Sequence, residues 1–441
     1  MSAAAWERGG HASLMLEFER ARELTEKLAE PLSPEDQTVQ SMADASPVKW
    51  HRGHTTWFFE TFVLMDNDRG YKPYDKRFAY LFNSYYDSIG PRQPRPSRGL
   101  ITRPDVEEVA AYRAHVDCAM QALLSRCLDP EVQAMIILGI NHEQQHQELL
   151  LMDVKHLLSC NPLQPAYIDT PLSESSGEAR CRPCNPLQPA DAEASQPPSK
   201  ELPPQAWISY EGGLVDIGHD GIGFAFDNES PRHRVFLPPF AIASRPVTCG
   251  EWVQFIEDGG YERANLWLSE GWATVQDKSW DAPMYWSHTE PGWSVFTLGG
   301  PKELDPAEPV CHVSYYEADA FARWAGARLP TEFEWELAAV GQPEKGNPFD
   351  RMEIHPVPLG AQSSMFADVW QWTSSSYSPY PRFRPAEGAI GEYNGKFMVN
   401  QHVLRGGSCA TPAGHARTCY RNFFPSASRW AFSGLRLAKD V

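Results

Sequence analysis

Apolar residues recur at helical spacing in four stretches of the first 160 residues: 12–29, 47–66, 105–127 and 130–158. Each stretch predicts a helix that buries one face, and four such helices predict a bundle. Two start signals agree. Ser46-Pro47 and Asp129-Pro130 each put a capping side chain before a proline at the first helical position, where its missing N–H costs nothing. The connection between the second and third helices, KRFAYLFNSYYDSIGPRQPRPSRGLITRP, is long and rich in Tyr, Arg and Pro. A connection of that length in a compact domain is a candidate functional loop.

Past residue 160 the period is lost. Residues 161–205 are rich in Pro, Ser and Glu, the composition of a linker. The heptapeptide CNPLQPA occurs there twice, at 160–166 and 184–190, too short to be a structural repeat. From 206 to 441 short alternating pieces broken by Gly and Pro, such as GGLVDIG and RHRVFLPPFAI, are interspersed with the helical patterns CGEWVQFIEDGG and SYYEADAFARWAGA. The predicted fold class is therefore multidomain: a four-helix bundle over 1–160, a Pro-rich linker over 161–205, and an α+β domain over 206–441.

Composition narrows the function. A net charge of -18 opposes nucleic acid and anionic membrane surfaces, so the expected partners are small molecules. The N-terminal MSAAAWERGGHASLMLEFERAR has no secretory apolar core, and no apolar run reaches membrane-spanning length, which predicts a cytoplasmic protein. Nine scattered cysteines suit reduced thiols rather than a disulfide framework. Cys181 and Cys184 form a CRPC motif, but it sits in the linker without a second pair.

The chemistry concentrates in NHEQQHQELLLMDVKH, residues 141–156. On a helix His142 and His146 stand one turn apart on one face and can share a metal ion. The string H-E-x-x-H is also that of zinc proteases, but the following QELLLMDVKH lacks the G-x-x-H continuation of one such class, and Glu174 and Glu178 fall in the linker. His156 is too far along the helix, about 15 Å from His146. A third ligand is better sought in WHRGH on the second helix, which offers His51 and His54. Three neutral imidazoles suit Zn, Fe, Ni or Cu alike.

In W-x-x-x-H (Trp50 to His54) and H-E-x-x-H-Q-E (His142 to Glu148) the N-terminal half resembles the DinB-like helical domain of the hercynine-dependent sulfoxide synthases of ergothioneine biosynthesis. The C-terminal half resembles the formylglycine-generating-enzyme-type domain, a C-type-lectin-like fold, through PVCHVSYYEADAFARWAGARLPTEFEWELAA, DVWQWTSSSY, LRGGS and SGLRLA. The resemblance implies a non-haem iron(II), Fe(2+), enzyme that uses O2 to join a thiol to C2 of the imidazole of hercynine and to oxidise the sulfur. It implies iron ligands His54, His142 and His146, leaving His51 an ordinary helix residue.

Further roles are carried over by the same resemblance. Gln145 would bind the hercynine imidazole, Asn422 would lie near its carboxylate, and Phe423 would face its trimethylammonium group. Glu148 lies off the histidine face and is expected to support the ligands from behind or to be structural, not to bind the metal. Arg92 and Arg95 would grip the thiol substrate, with Arg95 the stronger of the two. Phe424 stands where relatives using γ-glutamylcysteine carry an aspartate, which implies cysteine as the thiol donor, with γ-glutamylcysteine as the alternative. The proton donor is expected to be Tyr86, then Tyr85, with Tyr377 as a C-terminal alternative. Three other readings stay open: a zinc metallohydrolase, a copper site at Cys409 and Cys419, and a non-catalytic binding protein.

Overall fold

The computed structural model describes residues 3–168, 205–290, 292–344, 354–359, 364–366 and 368–441. Cys181, Cys184, Glu174, Glu178 and the second heptapeptide lie outside the described residues, as does most of the expected linker. Residues 161–168 are described and mostly exposed, but Tyr167 is buried and its hydroxyl donates to the carbonyl of Leu28 at 2.6 Å.

Four long helices form the N-terminal bundle. α1 spans Ala3–Ala29, and α2 spans Val48–Phe59 and runs through a π-turn, Glu60–Leu64, into α3 (Met65–Asn67). α4 is a short turn, Phe78–Phe82, in the long connection; α5 spans Val106–Leu124 and α6 spans Pro130–Ser159. Their apolar faces meet in a core that includes Phe18, Trp57, Phe58, Phe59, Tyr112 and Ile136. The proline signals mark the helix starts, with one refinement. Pro130 is the first residue of α6, whereas Pro47 lies one residue before α2, and neither Ser46 nor Asp129 makes a capping side-chain bond. Ser46 instead donates its backbone N–H to Asp153 at 2.8 Å.

The C-terminal half is a C-type-lectin-like α+β domain of small sheets. β1 (Trp207–Tyr210) and β12 (Ala438–Asp440) flank β4 (Phe240–Ala243) in one antiparallel sheet, and β2 (Gly213–Ile217) pairs with β3 (His233–Leu237). β5 (Trp286–Thr289), β6 (Gly292–Thr297) and β7 (Gly300–Glu303) form a meander. The sheet nearest the bundle runs β10 (Asn422–Pro425), β9 (Gln401–Arg405), β8 (Trp370–Ser376), β11 (Ser433–Gly434). Among the described residues five helices decorate these sheets: α7 (Cys249–Glu257), α8 (Ser269–Lys278), α9 (Tyr315–Trp324), α10 (Glu332–Ala339) and α11 (Glu392–Gly395). α7, α9 and α10 each start with a capping box, Thr248/Glu251, Ser314/Glu317 and Thr331/Glu334, which satisfies otherwise orphaned backbone donors.

The two halves are clamped across α6. Glu148 accepts hydrogen bonds from Trp370 Nε1 at 2.7 Å, from Thr411 at 2.9 Å and from Ser408. One buried carboxylate thus joins the bundle to β8 and to the Ser408–Thr411 turn at the end of LRGGS.

Candidate metal centre

α2 and α6 bring His54, His142 and His146 together, with one ligand atom from each lying within 4.8 Å of the others. Their ring centroids are 4.6 to 5.0 Å apart, and all three rings are buried. The i, i+4 pair on α6 supplies two rings and α2 the third, as the spacing predicts. Burial lowers the pKa of each, to about 4 for His142, so each is neutral at pH 7 with a lone pair to give. His54 donates Nδ1–H to the carbonyl of Phe82 at 2.6 Å, leaving Nε2 for an ion. Gly53 makes this possible, because a Cβ there would lie 2.3 Å from the Phe82 ring. Both ring nitrogens of His142 are buried without a hydrogen-bond partner, an arrangement that costs free energy unless an ion takes one of them. The donor set therefore fits a divalent transition metal.

Glu143, the glutamate of H-E-x-x-H, faces away from this centre. It is fully buried and accepts from Arg22 at 2.9 Å, Arg113 at 3.1 Å and Thr25 at 2.7 Å. Burial alone would raise its pKa, but the two guanidiniums override this and hold it below the usual carboxylate range. A general base tied into a structural ion cluster cannot activate a metal-bound water, so the protease reading loses its catalytic group. His51 also departs from expectation. Far from idle, its Nδ1 lies 2.8 Å from Nδ1 of His146 and its Nε2 lies 3.0 Å from Asp153.

Two cavities border the three histidines. One is the more polar of the two and is lined by His51, His54, His146, Trp50, Arg95, Arg98, Asn422, Phe423 and Phe424 among others. The other is apolar, reaching His142 between Phe58, Leu138, Phe224 and Ile390. Tyr86, Gln145, Phe226, Tyr393 and Asn394 line both. Gln145 donates to the Tyr420 hydroxyl at 2.6 Å.

The arginines that line this cavity are Arg95 and Arg98, whereas the sequence pointed to Arg92 and Arg95. Arg92 does not line the cavity and is ion-paired with Asp87 at the surface. Arg98 lies over the Trp50 ring, 3.3 Å from its centroid, and donates to Ser46 and Ser84 at 2.9 and 3.0 Å. The string R-Q-P-R-P-S-R repeats the spacing, and the chain turns so that the second and third arginines face inward. Neither Arg95 nor Arg98 has a carboxylate partner among the described residues, and the Nε of each is buried and unpartnered. Burial and then the neighbouring Arg95 push Arg98 down to about 9. Such a pair is poised for an anion.

Comparison with known proteins fits both halves. Residues 17–157 match the DinB superfamily, and residues 192–357 and 351–441 match the sulfatase-modifying factor enzyme 1-like domain. The hercynine oxygenase of Mycolicibacterium smegmatis is 31% identical over 90% of this chain and 91% of its own length. The chain belongs to the hercynine oxygenase family. The hercynine oxygenase of Mycolicibacterium thermoresistibile is 38% identical over 49% of this chain and 54% of its own. Ergothioneine biosynthesis protein 1 of Schizosaccharomyces pombe is 29% identical over 49% of this chain and 28% of its own.

Within this hercynine oxygenase fold the tyrosine candidates separate. Tyr86 is buried, packs on Trp57 and Phe62, and its hydroxyl makes no hydrogen bond to a described residue. Tyr85 accepts from Arg95 at 2.9 Å. Tyr377 lines neither cavity; its hydroxyl accepts from Asn228 at 2.9 Å and its ring stacks on Phe423 at 4.0 Å. Cys409 is buried in the core, whereas the Cys419 thiol donates to Glu229 at 2.7 Å, and neither is in the metal-capable group. The copper reading has no thiolate pair to stand on. Sequence reasoning missed Arg98, Tyr393, Phe397 and Tyr420. Arg98 was signalled by the repeated arginine spacing, but Tyr393, Phe397 and Tyr420 carry no local motif and reach the site only through the fold.

Proposed function

We propose that the chain is a non-haem iron(II), O2-dependent sulfoxide synthase that forms the C–S bond between cysteine and C2 of the hercynine imidazole and oxidises the sulfur. The observation that carries this reading is the convergence of three neutral, buried imidazoles beside buried Arg98 and half-buried Arg95, neither with a carboxylate partner among the described residues. Iron(II) held by His54, His142 and His146 would acidify the thiol and gather the reactants at one centre.

The chain's own side chains do the rest. Arg95 and Arg98 grip the cysteine carboxylate by charge-assisted hydrogen bonds and hold its sulfur toward the histidines. Gln145 and Asn422 orient hercynine from opposite halves of the protein. Phe423 and Phe397, with ring centroids 5.8 Å apart, offer aromatic faces to the quaternary ammonium. Tyr86 holds a proton at its hydroxyl, because burial and then Tyr393 raise its pKa.

Cysteine is favoured over γ-glutamylcysteine because Phe424, packed edge-on against Trp430, supplies no acceptor for the ammonium at the far end of the glutamyl arm. Of the acids lining this cavity, Glu148 is engaged by three donors and Asp44 is exposed at the surface. The test is iron content after anaerobic purification, followed by O2 uptake with hercynine and each thiol. Bound iron and a kcat/KM at least about tenfold higher for cysteine are expected, a difference of about 1.4 kcal/mol. Bound zinc with peptide hydrolysis, or no turnover, would overturn the activity, and a preference for γ-glutamylcysteine would overturn the choice of thiol.

A further inference from the structure

His51 and Asp153 stand outside the three ligands, yet the geometry ties both to one of them. Asp153 follows His146 by seven residues on α6, two turns on the same face, so the two Cα atoms lie about 10.5 Å apart along the axis. That is beyond the reach of a direct hydrogen bond. His51, three residues before His54 on α2, fills the gap with its ring: Nδ1 is 2.8 Å from His146 Nδ1 and Nε2 is 3.0 Å from Asp153 Oδ2. Asp153 Oδ2 also accepts the backbone N–H of Ser46 at 2.8 Å, which anchors the far end. All three side chains are buried.

The protons in this chain of contacts can be assigned. An ionised carboxylate only accepts, so the proton on the His51–Asp153 bond sits on His51 Nε2. Neutral His51 then presents a lone pair at Nδ1. Two ring nitrogens at 2.8 Å share one proton, so His146 Nδ1 carries it and donates. The His146 lone pair is thereby placed on Nε2, free for an ion. His54 reaches the same tautomer by a shorter route, through the Phe82 carbonyl, whereas His142 has no such fastening.

We infer that Asp153 and His51 form a relay that fixes the tautomer and ring angle of His146, and that both are positioning residues for the metal centre. The inference rests on the three-histidine reading and adds to it. Outer partners of metal-bound histidines raise ligand basicity and hold the ring, and their loss costs metal affinity. Here an imidazole is interposed between carboxylate and ligand because helix spacing keeps the carboxylate two turns away.

The test titrates metal-free full-length protein with Co2+ and reads both affinity and the visible d–d spectrum, without substrates. His51→Leu removes the acceptor for His146 Nδ1–H and should weaken binding by about 10- to 100-fold with a changed spectrum. His51→Gln restores an acceptor oxygen and should recover much of that affinity. A purely structural role predicts the reverse order, since leucine packs better than an amide in a buried site. Asp153→Asn no longer dictates which His51 nitrogen is protonated and should also weaken binding, which keeps the test usable if a His51 variant misfolds. Affinity in His51→Leu or Asp153→Asn equal to that of the unmodified chain, or equal loss in the leucine and glutamine variants, would overturn the relay. An unmodified chain that takes up no divalent ion would instead overturn the three-histidine reading on which the relay rests.

Discussion

Tyr86 stands on the wall shared by the two cavities, its hydroxyl without a hydrogen bond to any described residue and held protonated by burial, so it can give a proton without being charged at neutral pH. Replacing it by phenylalanine removes the donor and little volume. The expected outcome for Tyr86→Phe is a product shift from C–S bond formation toward simple thiol oxidation, read by product analysis; Tyr377→Phe should leave the product ratio unchanged. The arginines separate in the same way. Arg98→Ala removes a charge-assisted contact worth roughly 1.5–3 kcal/mol, so KM for the thiol should rise about 10- to 100-fold. Arg92→Ala should change it by less than about twofold, because that guanidinium is spent on Asp87. At this scale the sequence was informative wherever chemistry followed helical spacing, as for His142 and His146. It left His51 an ordinary helix residue, because its contacts to His146 and Asp153 cross to another helix and follow no local motif, and it was ambiguous on arginine register, because R-x-x-R-x-x-R offers two equivalent pairs.

The bundle helices are held by charge as well as by apolar packing. Glu143 on α6 meets Arg22 on α1 and Arg113 on α5, and Arg113 also pairs with Glu26 at 2.6 Å. Glu143→Gln would leave two buried guanidiniums short of a counter-charge and should destabilise the bundle by about 3–5 kcal/mol, seen as a lower melting temperature at pH 7. The pH dependence follows from the direction of the shift. The folded pKa of Glu143 lies below its unfolded value, so its stabilisation is fully present above the unfolded pKa, about 4.3, and fades as pH falls through the folded one. The stability difference between the unmodified chain and Glu143→Gln should therefore shrink progressively below about pH 4. The four helices were legible because each pairs an apolar stripe with a start signal. The catalytic-looking motif was misleading for the same reason, since H-E-x-x-H fixes which residues share a face but not whether the glutamate faces a metal or a neighbouring helix.

Across the whole molecule the bundle supplies the histidines and the C-terminal domain closes the site over them. β10 presents Asn422, Phe423 and Phe424 to the polar cavity, α11 and the residues after it bring Tyr393, Asn394 and Phe397, and the Glu148 clamp holds both halves in place. This division explains why the site was only partly readable. Ligands on one helix announce themselves, whereas a wall assembled from residues some 250 to 280 positions away does so only through the fold. The central claim is that these walls unite two organic substrates and O2 at one centre. It is tested most directly by the mass of the product formed under 18O2 from hercynine, cysteine and the iron-loaded protein. The account predicts a hercynine–cysteine adduct carrying one labelled oxygen on sulfur, formed only when iron is present. Labelled cysteine sulfinate or unlabelled cystine, with hercynine returned intact, would contradict it.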